Sequence, residues 1–169
     1  GALGVAQWFL GDIEGASASL DRSIELGFPL VLVTKGAMIA ELGEPRKARA
    51  YMLSTFREHR DRLPDQLKAR AVQYLLASAI GMRSAWARWL MWMATKGRLG
   101  NPKYLSNLSF KATISALGEA EAFFEEVRTR PNTYLSGALM CLWYPTEAAR
   151  RIRTHPGFPR FAEDIGLVG

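Results

Sequence analysis

The sequence is poor in the residues on which most protein chemistry depends. Its 169 residues include one cysteine, Cys141, and two histidines, His59 and His155. A single cysteine excludes a disulfide framework within the chain and favours a reducing compartment, so we expect a cytoplasmic protein. The neighbours of Cys141 are apolar, which predicts a buried, inert thiol. Neither histidine has a second histidine or a cysteine at ligand spacing, so no metal site is expected.

The motifs of common enzyme classes are missing as well. The sequence contains no Gly-x-Ser-x-Gly nucleophile motif and no phosphate loop that ends in Gly-Lys-Ser/Thr. The acidic residues Glu119 and Glu121 fall on the solvent side of a predicted helix, where a carboxylate favours the helix start. We therefore expect no catalytic residues, no cofactor and no enzymatic activity.

Long apolar runs and a strong excess of one charge are also absent. No stretch of about 18 uncharged apolar residues occurs, so no membrane span is expected. The 22 Lys and Arg residues against 16 Asp and Glu residues give a net charge of only +6. The basic residues between Arg57 and Arg70 alternate with acidic ones, which favours local ion pairs. Nucleic acid is therefore not an expected partner.

What the sequence does contain is a pattern that recurs 32 residues later. Each copy predicts a helix, a tight Leu-Gly turn and an amphipathic second helix. A fixed period in the thirties is typical of stacked helical hairpins, none of which can bury its apolar side alone. The recurring residues are Gly4 and Gly36, Leu10-Gly11 and Leu42-Gly43, Ala16 and Ala48, and Leu20 and Met52.

Over residues 1–62 this pattern resembles the tetratricopeptide repeat family. The resemblance implies an all-α fold, a right-handed superhelical stack of antiparallel helix hairpins. We expect a single domain with hairpins over about 1–27, 30–62, 65–96 and 104–130 and a C-terminal capping segment over 133–169. Within these hairpins the apolar spacing predicts one helix over 65–80, ended by Gly81, and a helix over 119–130 with a buried stripe.

The capping segment supplies a second resemblance. Arg153, Pro156, Phe158 and the triplet Ile165-Gly166-Leu167 resemble the closing segment of tetratricopeptide domains in bacterial multidomain regulators, such as nucleotide cyclases and winged-helix transcription regulators. This resemblance implies a C-terminal accessory or regulatory domain, and the initial Gly suggests a fragment of a longer chain. We expect Phe158, Phe161 and Ile165 to fold onto the last hairpin, and His155 to serve as a turn residue.

The family resemblance also implies a function and a binding side. It implies a non-catalytic protein–protein interaction or scaffolding module whose concave side is lined by the first helices of the hairpins. The expected partner is a protein or peptide, another domain of the same chain, or a second copy that forms a homodimer. By family analogy the exposed positions on that side include Trp8, Thr34, Glu41, Lys68 and Lys111.

A predicted helix over 82–96 is the most apolar of the chain and contains Trp86, Trp89 and Met93. Three interpretations compete: a central core helix, a contact surface for a partner, and an interfacial membrane segment. Packing between neighbouring hairpins favours the core, whereas the excess of Trp and Met makes these residues candidate partner contacts. The alternative function is a regulatory domain that senses a small apolar molecule in a buried pocket here and controls an attached effector.

Overall fold

All regular structure in the described part of the chain is helical. The computed structural model describes residues 1–29, 31–63, 65–95, 120–129 and 142–167, and it contains no strand within them. The predicted all-α class is therefore confirmed for these residues. The chain divides into two compact units, Gly1–Ser106 and Asn107–Gly169. The first helix of the predicted fourth hairpin (104–117), Lys111 and Cys141 lie outside the described residues.

The first unit begins with two helical hairpins, placed nearly as the sequence predicts. Helix α1 spans Ala2–Phe9 and α2 spans Ile13–Glu25, while α3 spans Val31–Glu41 and α4 spans Pro45–Glu58. The predicted stripes of α2 and α4 face the interior, since Ala16, Leu20, Ala48 and Met52 are fully buried. These hairpins therefore pack through the residues that recur in the sequence.

The two hairpins turn in the same way. Gly11 and Gly43 both adopt left-handed backbone conformations, with φ of +84° and +86°, which a residue with a Cβ adopts only at a cost. After the first turn, the Asp12 amide donates to the Gln7 carbonyl at 2.9 Å; after the second, the Glu44 amide donates to the Ile39 carbonyl at 3.2 Å. Each equivalent pair differs by 32 in residue number, so the sequence period is also a structural period.

Glycines in the first helices allow the second helices to approach closely. A Cβ added at Gly4 would lie 2.8 Å from Cγ of Leu20, and one added at Gly36 would overlap the side chain of Met52. These two contacts are again related by the 32-residue period. Gly4 and Gly36 thus leave room for Leu20 and Met52, the large apolar residues at equivalent positions of the second helices.

The predicted single helix over 65–80 is wrong. A 3₁₀ turn at Arg60–Arg62 precedes a short α5, Asp65–Lys68, and Ala69 then has extended backbone (ψ 121°) before α6, Arg70–Leu76. Across the break, the buried Gln73 side chain donates to the Leu67 carbonyl at 2.7 Å. The side chain of Gln73 therefore links α5 to α6.

The expected helix end at Gly81 is confirmed, but Gly81 does not itself make the turn. A π-helical turn spans Ala77–Gly81, and the chain reverses only at Arg83, whose φ is +53°. The Ser84 amide then donates to the Ser78 carbonyl at 3.0 Å, and α7 spans Ala85–Thr95. Gly81 is instead required for packing, since a Cβ there would lie 2.8 Å from the backbone nitrogen of Arg49 in α4.

The second unit is organised around an aromatic cluster. Helices α8, Ala120–Thr129, α9, Glu147–Arg153, and α10, Phe158–Asp164, contribute to it. Phe161 is fully buried and stacks on Phe124 with ring centroids 4.4 Å apart. Phe158 and Ile165 pack on the same cluster, so the predicted folding of the cap onto the last hairpin is confirmed for α8, the part of that hairpin that the structure describes. The buried members are Ala120, Phe123, Phe124, Val127, Leu142, Ile152 and Phe161.

Hydrogen bonds from Arg153 and to His155 stabilise the capping segment. The Arg153 guanidinium donates to the backbone carbonyls of Leu142 and, at 3.4 Å, of Tyr144, and burial lowers the pKa of Arg153. Nδ1 of His155 accepts a hydrogen bond from the Gly157 amide at 3.1 Å. The predicted role of His155 as a turn residue is therefore confirmed.

Candidate interaction surface

The first half of α7 places two tryptophans at the surface of the first unit. Trp86 is 61% exposed and Trp89 is 52% exposed, and they lie one helical turn apart. Ala87 on the opposite side of α7 is fully buried. Among the described elements, the helix packs mainly on α6 and the π-helical turn, and its tryptophan side is exposed. The core interpretation is therefore wrong for these two side chains, while the side chain of Met93 lies outside the described residues.

The turn that precedes α7 holds this surface in place. Ser84 Oγ accepts a hydrogen bond from the Ala87 amide at 3.3 Å and so supports the start of the helix. The guanidinium of Arg83 forms an ion pair with Glu41 at the end of α3. Glu41, a predicted binding residue, thus contacts the turn that precedes α7 through this ion pair.

The remaining predicted binding residues do not form one open surface. Trp8 and Thr34 are each only 4% exposed, so their expected exposure is wrong. Trp8 faces the interior like its repeat equivalent Ala40, which is 3% exposed, and Thr34 lies on a helix that α2, α4 and the π-helical turn cover. Lys68 is partly exposed and pairs with Asp65 at 2.9 Å. The expected binding side therefore loses Trp8 and Thr34 as contact residues.

The sequence did not predict a polar cluster formed by Lys35, Asp21 and Tyr51. The ammonium of Lys35, whose side chain is 10% exposed, lies 2.5 Å from a carboxylate oxygen of Asp21, and it sits 5.2 Å from the centre of the Tyr51 ring. These residues join α2, α3 and α4. The signal in the sequence is a single lysine within the otherwise uncharged stretch from Val31 to Ala40.

The chemistry of this cluster is structural. The Tyr51 hydroxyl is buried and has no hydrogen-bond partner in the described part of the chain. Burial, helped by the Asp21 carboxylate, raises the pKa of Tyr51 to about 12. A phenol that keeps its proton at neutral pH is a poor base, and the Lys35 charge is already paired. We conclude that the cluster links three helices.

We expect the two charged partners to respond unequally to substitution. Asp21→Ala leaves the Lys35 ammonium buried without a partner and should lower the free energy of unfolding by about 2 kcal/mol. Lys35→Met leaves Asp21, whose side chain is 48% exposed, free to hydrate, and should change stability by less than about 0.5 kcal/mol. Urea unfolding of both variants measures the difference. Equal losses would contradict this asymmetry.

The raised pKa of Tyr51 predicts a specific loss of stability in alkali. Between pH 10 and 12 the unfolded tyrosine loses its proton while the folded one keeps it. The free energy of unfolding is therefore constant with respect to this group below pH 10 and falls as the pH rises towards 12. Tyr51→Phe has no such proton, and at neutral pH it should be up to about 1 kcal/mol more stable because a buried, unpaired hydroxyl is removed. The measurement is the unfolding free energy of both proteins from about pH 8 upwards. A constant difference across this range would refute the prediction.

Within the described residues, no group of three or more His, Cys, Asp or Glu side chains is arranged to hold a metal ion. The described helices include none with the length and apolar character needed to cross a bilayer. Comparison of the chain with protein-family models, curated proteins and solved structures finds no match. The function is therefore inferred from the surfaces of the protein itself.

Proposed function

We propose that this chain is a non-catalytic protein-binding module, a superhelical stack of tetratricopeptide-like hairpins that captures a peptide segment on Trp86 and Trp89. In this proposal it serves as the C-terminal accessory domain of a larger bacterial regulatory protein in the cytoplasm. The paired turns of the first two hairpins support the repeat architecture, and the resemblance of the capping segment supports the accessory role.

The exposed tryptophan pair carries the proposal. Tryptophan contributes a large apolar area with few rotatable bonds, and it is enriched among the residues that dominate binding energy at protein interfaces. Trp86 and Trp89 present this area on a helix that is held by Ser84, by Arg83 and by the buried Ala87. A surface that is ordered before binding loses less entropy when a partner docks.

The charges near the tryptophans define the chemistry of the partner. Arg83 already pairs with Glu41, and Arg88, between the two tryptophans in sequence, is partly exposed. A segment with apolar side chains for the indole rings and an acidic residue for Arg88 would match this surface. We therefore propose an acidic, apolar peptide as the partner.

The same exposure weighs against the sensing alternative. A small apolar ligand is normally enclosed by its pocket, with most of its surface buried. Trp86 and Trp89 are each more than half exposed, so they do not enclose a buried pocket. This geometry supports capture of a polypeptide over enclosure of a small molecule.

Selection of peptides from a random display library tests the proposal. Peptides that bind the wild-type chain should be enriched in acidic and apolar residues. Their affinity should fall at least about tenfold in the Trp86→Ala, Trp89→Ala variant, because truncation of interface tryptophans commonly costs 2 kcal/mol or more. Calorimetric titration measures the affinities, and circular dichroism confirms that the variant is folded.

A matched control separates this surface from general apolar binding. Phe28, between α2 and α3, is 66% exposed, and Phe28→Ala should leave the peptide affinities unchanged. Peptides that bind the double tryptophan variant as tightly as the wild type would refute α7 as the binding surface. A loss in Phe28→Ala equal to that in the double variant would refute it as well.

A further inference from the structure

We propose a second docking surface, separate from the tryptophans of α7. The outward side of α1 binds an amphipathic helix that presents an apolar, uncharged stripe. The proposal does not depend on the function proposed for α7, since it stands on the first two hairpins alone.

The internal repeat shows how this side of a first helix is used. In the second hairpin, Lys35 and Met38 on α3 are 8% and 2% exposed, and α2 packs on α3 and pairs its Asp21 with Lys35. The equivalent positions on α1, 32 residues earlier, are Leu3 and Ala6. Leu3 is 66% exposed, and Ala6 is also exposed. The side of α3 that α2 covers is therefore exposed on α1, the equivalent helix of the first hairpin.

The composition of α1 defines what can cover it. The helix contains no acidic or basic residue from Ala2 to Phe9. Around Leu3 and Ala6, the large side chains of Phe9 and Leu10 are 59% and 80% exposed. An uncharged, apolar surface of this kind marks an interaction site, because surface helices ordinarily carry charged residues on their solvent side.

Leu3 occupies the position on α1 that Lys35 occupies on α3, and this difference specifies one residue of the helix that docks on α1. The α2 helix places Asp21 against Lys35, where the opposite charges pair. The same aspartate placed against Leu3 would be partly desolvated without a cation, which is unfavourable. The helix that docks on α1 therefore resembles α2 but carries an apolar residue where α2 has Asp21.

The chain itself supplies the probes for a test. Two synthetic peptides contain residues 12–27, one with the natural sequence and one with the Asp21→Leu substitution. Each is titrated into the ¹⁵N-labelled full chain, and amide chemical shifts report where it binds. We expect the Asp21→Leu peptide to perturb α1 and to bind at least about tenfold more tightly than the natural peptide, since the natural peptide must desolvate a carboxylate against leucine.

A lysine introduced at position 3 of the protein supplies the matched control. In the Leu3→Lys chain the preference should reverse, so that the natural peptide binds more tightly than the Asp21→Leu peptide. Equal binding of the two peptides to both proteins, or shifts confined to α7, would overturn the proposal. Sedimentation that shows a dimer dissociated by Leu3→Lys would also overturn it, because the occupant would then be a second copy. The Trp86→Ala, Trp89→Ala variant should bind the Asp21→Leu peptide normally, which keeps this test distinct from that of the α7 surface.

Discussion

Replacement of Phe161 by alanine will lower the stability of the second unit by about 4 kcal/mol, the typical cost of removing a buried phenylalanine. Phe161 is fully buried and contacts the rings of Phe123, Phe124 and Phe158. Its removal leaves a cavity where α8 and α10 meet. Hydrogen exchange should show the loss as faster exchange of the amides in α8, α9 and α10.

Phe158 provides the matched control for this prediction. It has the same side chain, lies one turn earlier in α10 and is only partly buried at the edge of the cluster. Phe158→Ala should therefore accelerate exchange less than Phe161→Ala. Equally small effects would mean that the capping segment is held by its polar contacts, such as that of Arg153 with the Leu142 carbonyl, and not by the aromatic core.

Gly81→Ala is expected to cost about 3 kcal/mol, at the upper end of the usual range for overpacking a core. The added Cβ would lie 2.8 Å from the nitrogen and 3.0 Å from the Cα of Arg49. These are backbone atoms of α4, so relief requires the π-helical turn and α4 to separate. The gain in helix propensity from glycine to alanine, about 1 kcal/mol, is too small to offset this cost.

Gly36→Ala separates the steric effect from the propensity effect. Both glycines lie in helical segments with negative φ, and both are packed against α4. The Cβ of Gly36→Ala meets Cγ and Sδ of the fully buried Met52, so the side chain must repack but no backbone has to move, and the loss should be smaller, about 2 kcal/mol. Urea unfolding of both variants gives the comparison. A loss in Gly36→Ala as large as that in Gly81→Ala would contradict the backbone argument.

Gly81→Ala also bears on the proposed binding surface. The π-helical turn supports α7, and the Arg83–Glu41 ion pair holds the turn that precedes it. A shift of the π-helical turn should therefore move Trp86 and Trp89 relative to α3. We expect a change in tryptophan fluorescence in Gly81→Ala that is absent in Gly36→Ala.

The sequence by itself determined the local structure of the hairpins and the cap. The Leu-Gly turns, the start of α2 at Asp12 and the apolar stripes of α2, α4 and α8 depend on residues within a few helical turns of one another. Asp12, for example, accepts a hydrogen bond from the Gly15 amide three residues later. Helix ends and amphipathic periods carry this information directly, since the interacting groups are near neighbours in the chain.

Only the tertiary structure decided which sides of the helices are covered. Trp8 is buried and Trp89 is exposed, although both lie in apolar helical stretches. The pairing of Lys35 with Asp21 likewise depends on a neighbour from another helix. Periodicity identifies an apolar side but not whether another helix lies against it, because burial depends on contacts between residues far apart in the sequence. The candidate surfaces on α7 and α1 became visible for that reason only when the helices were placed together.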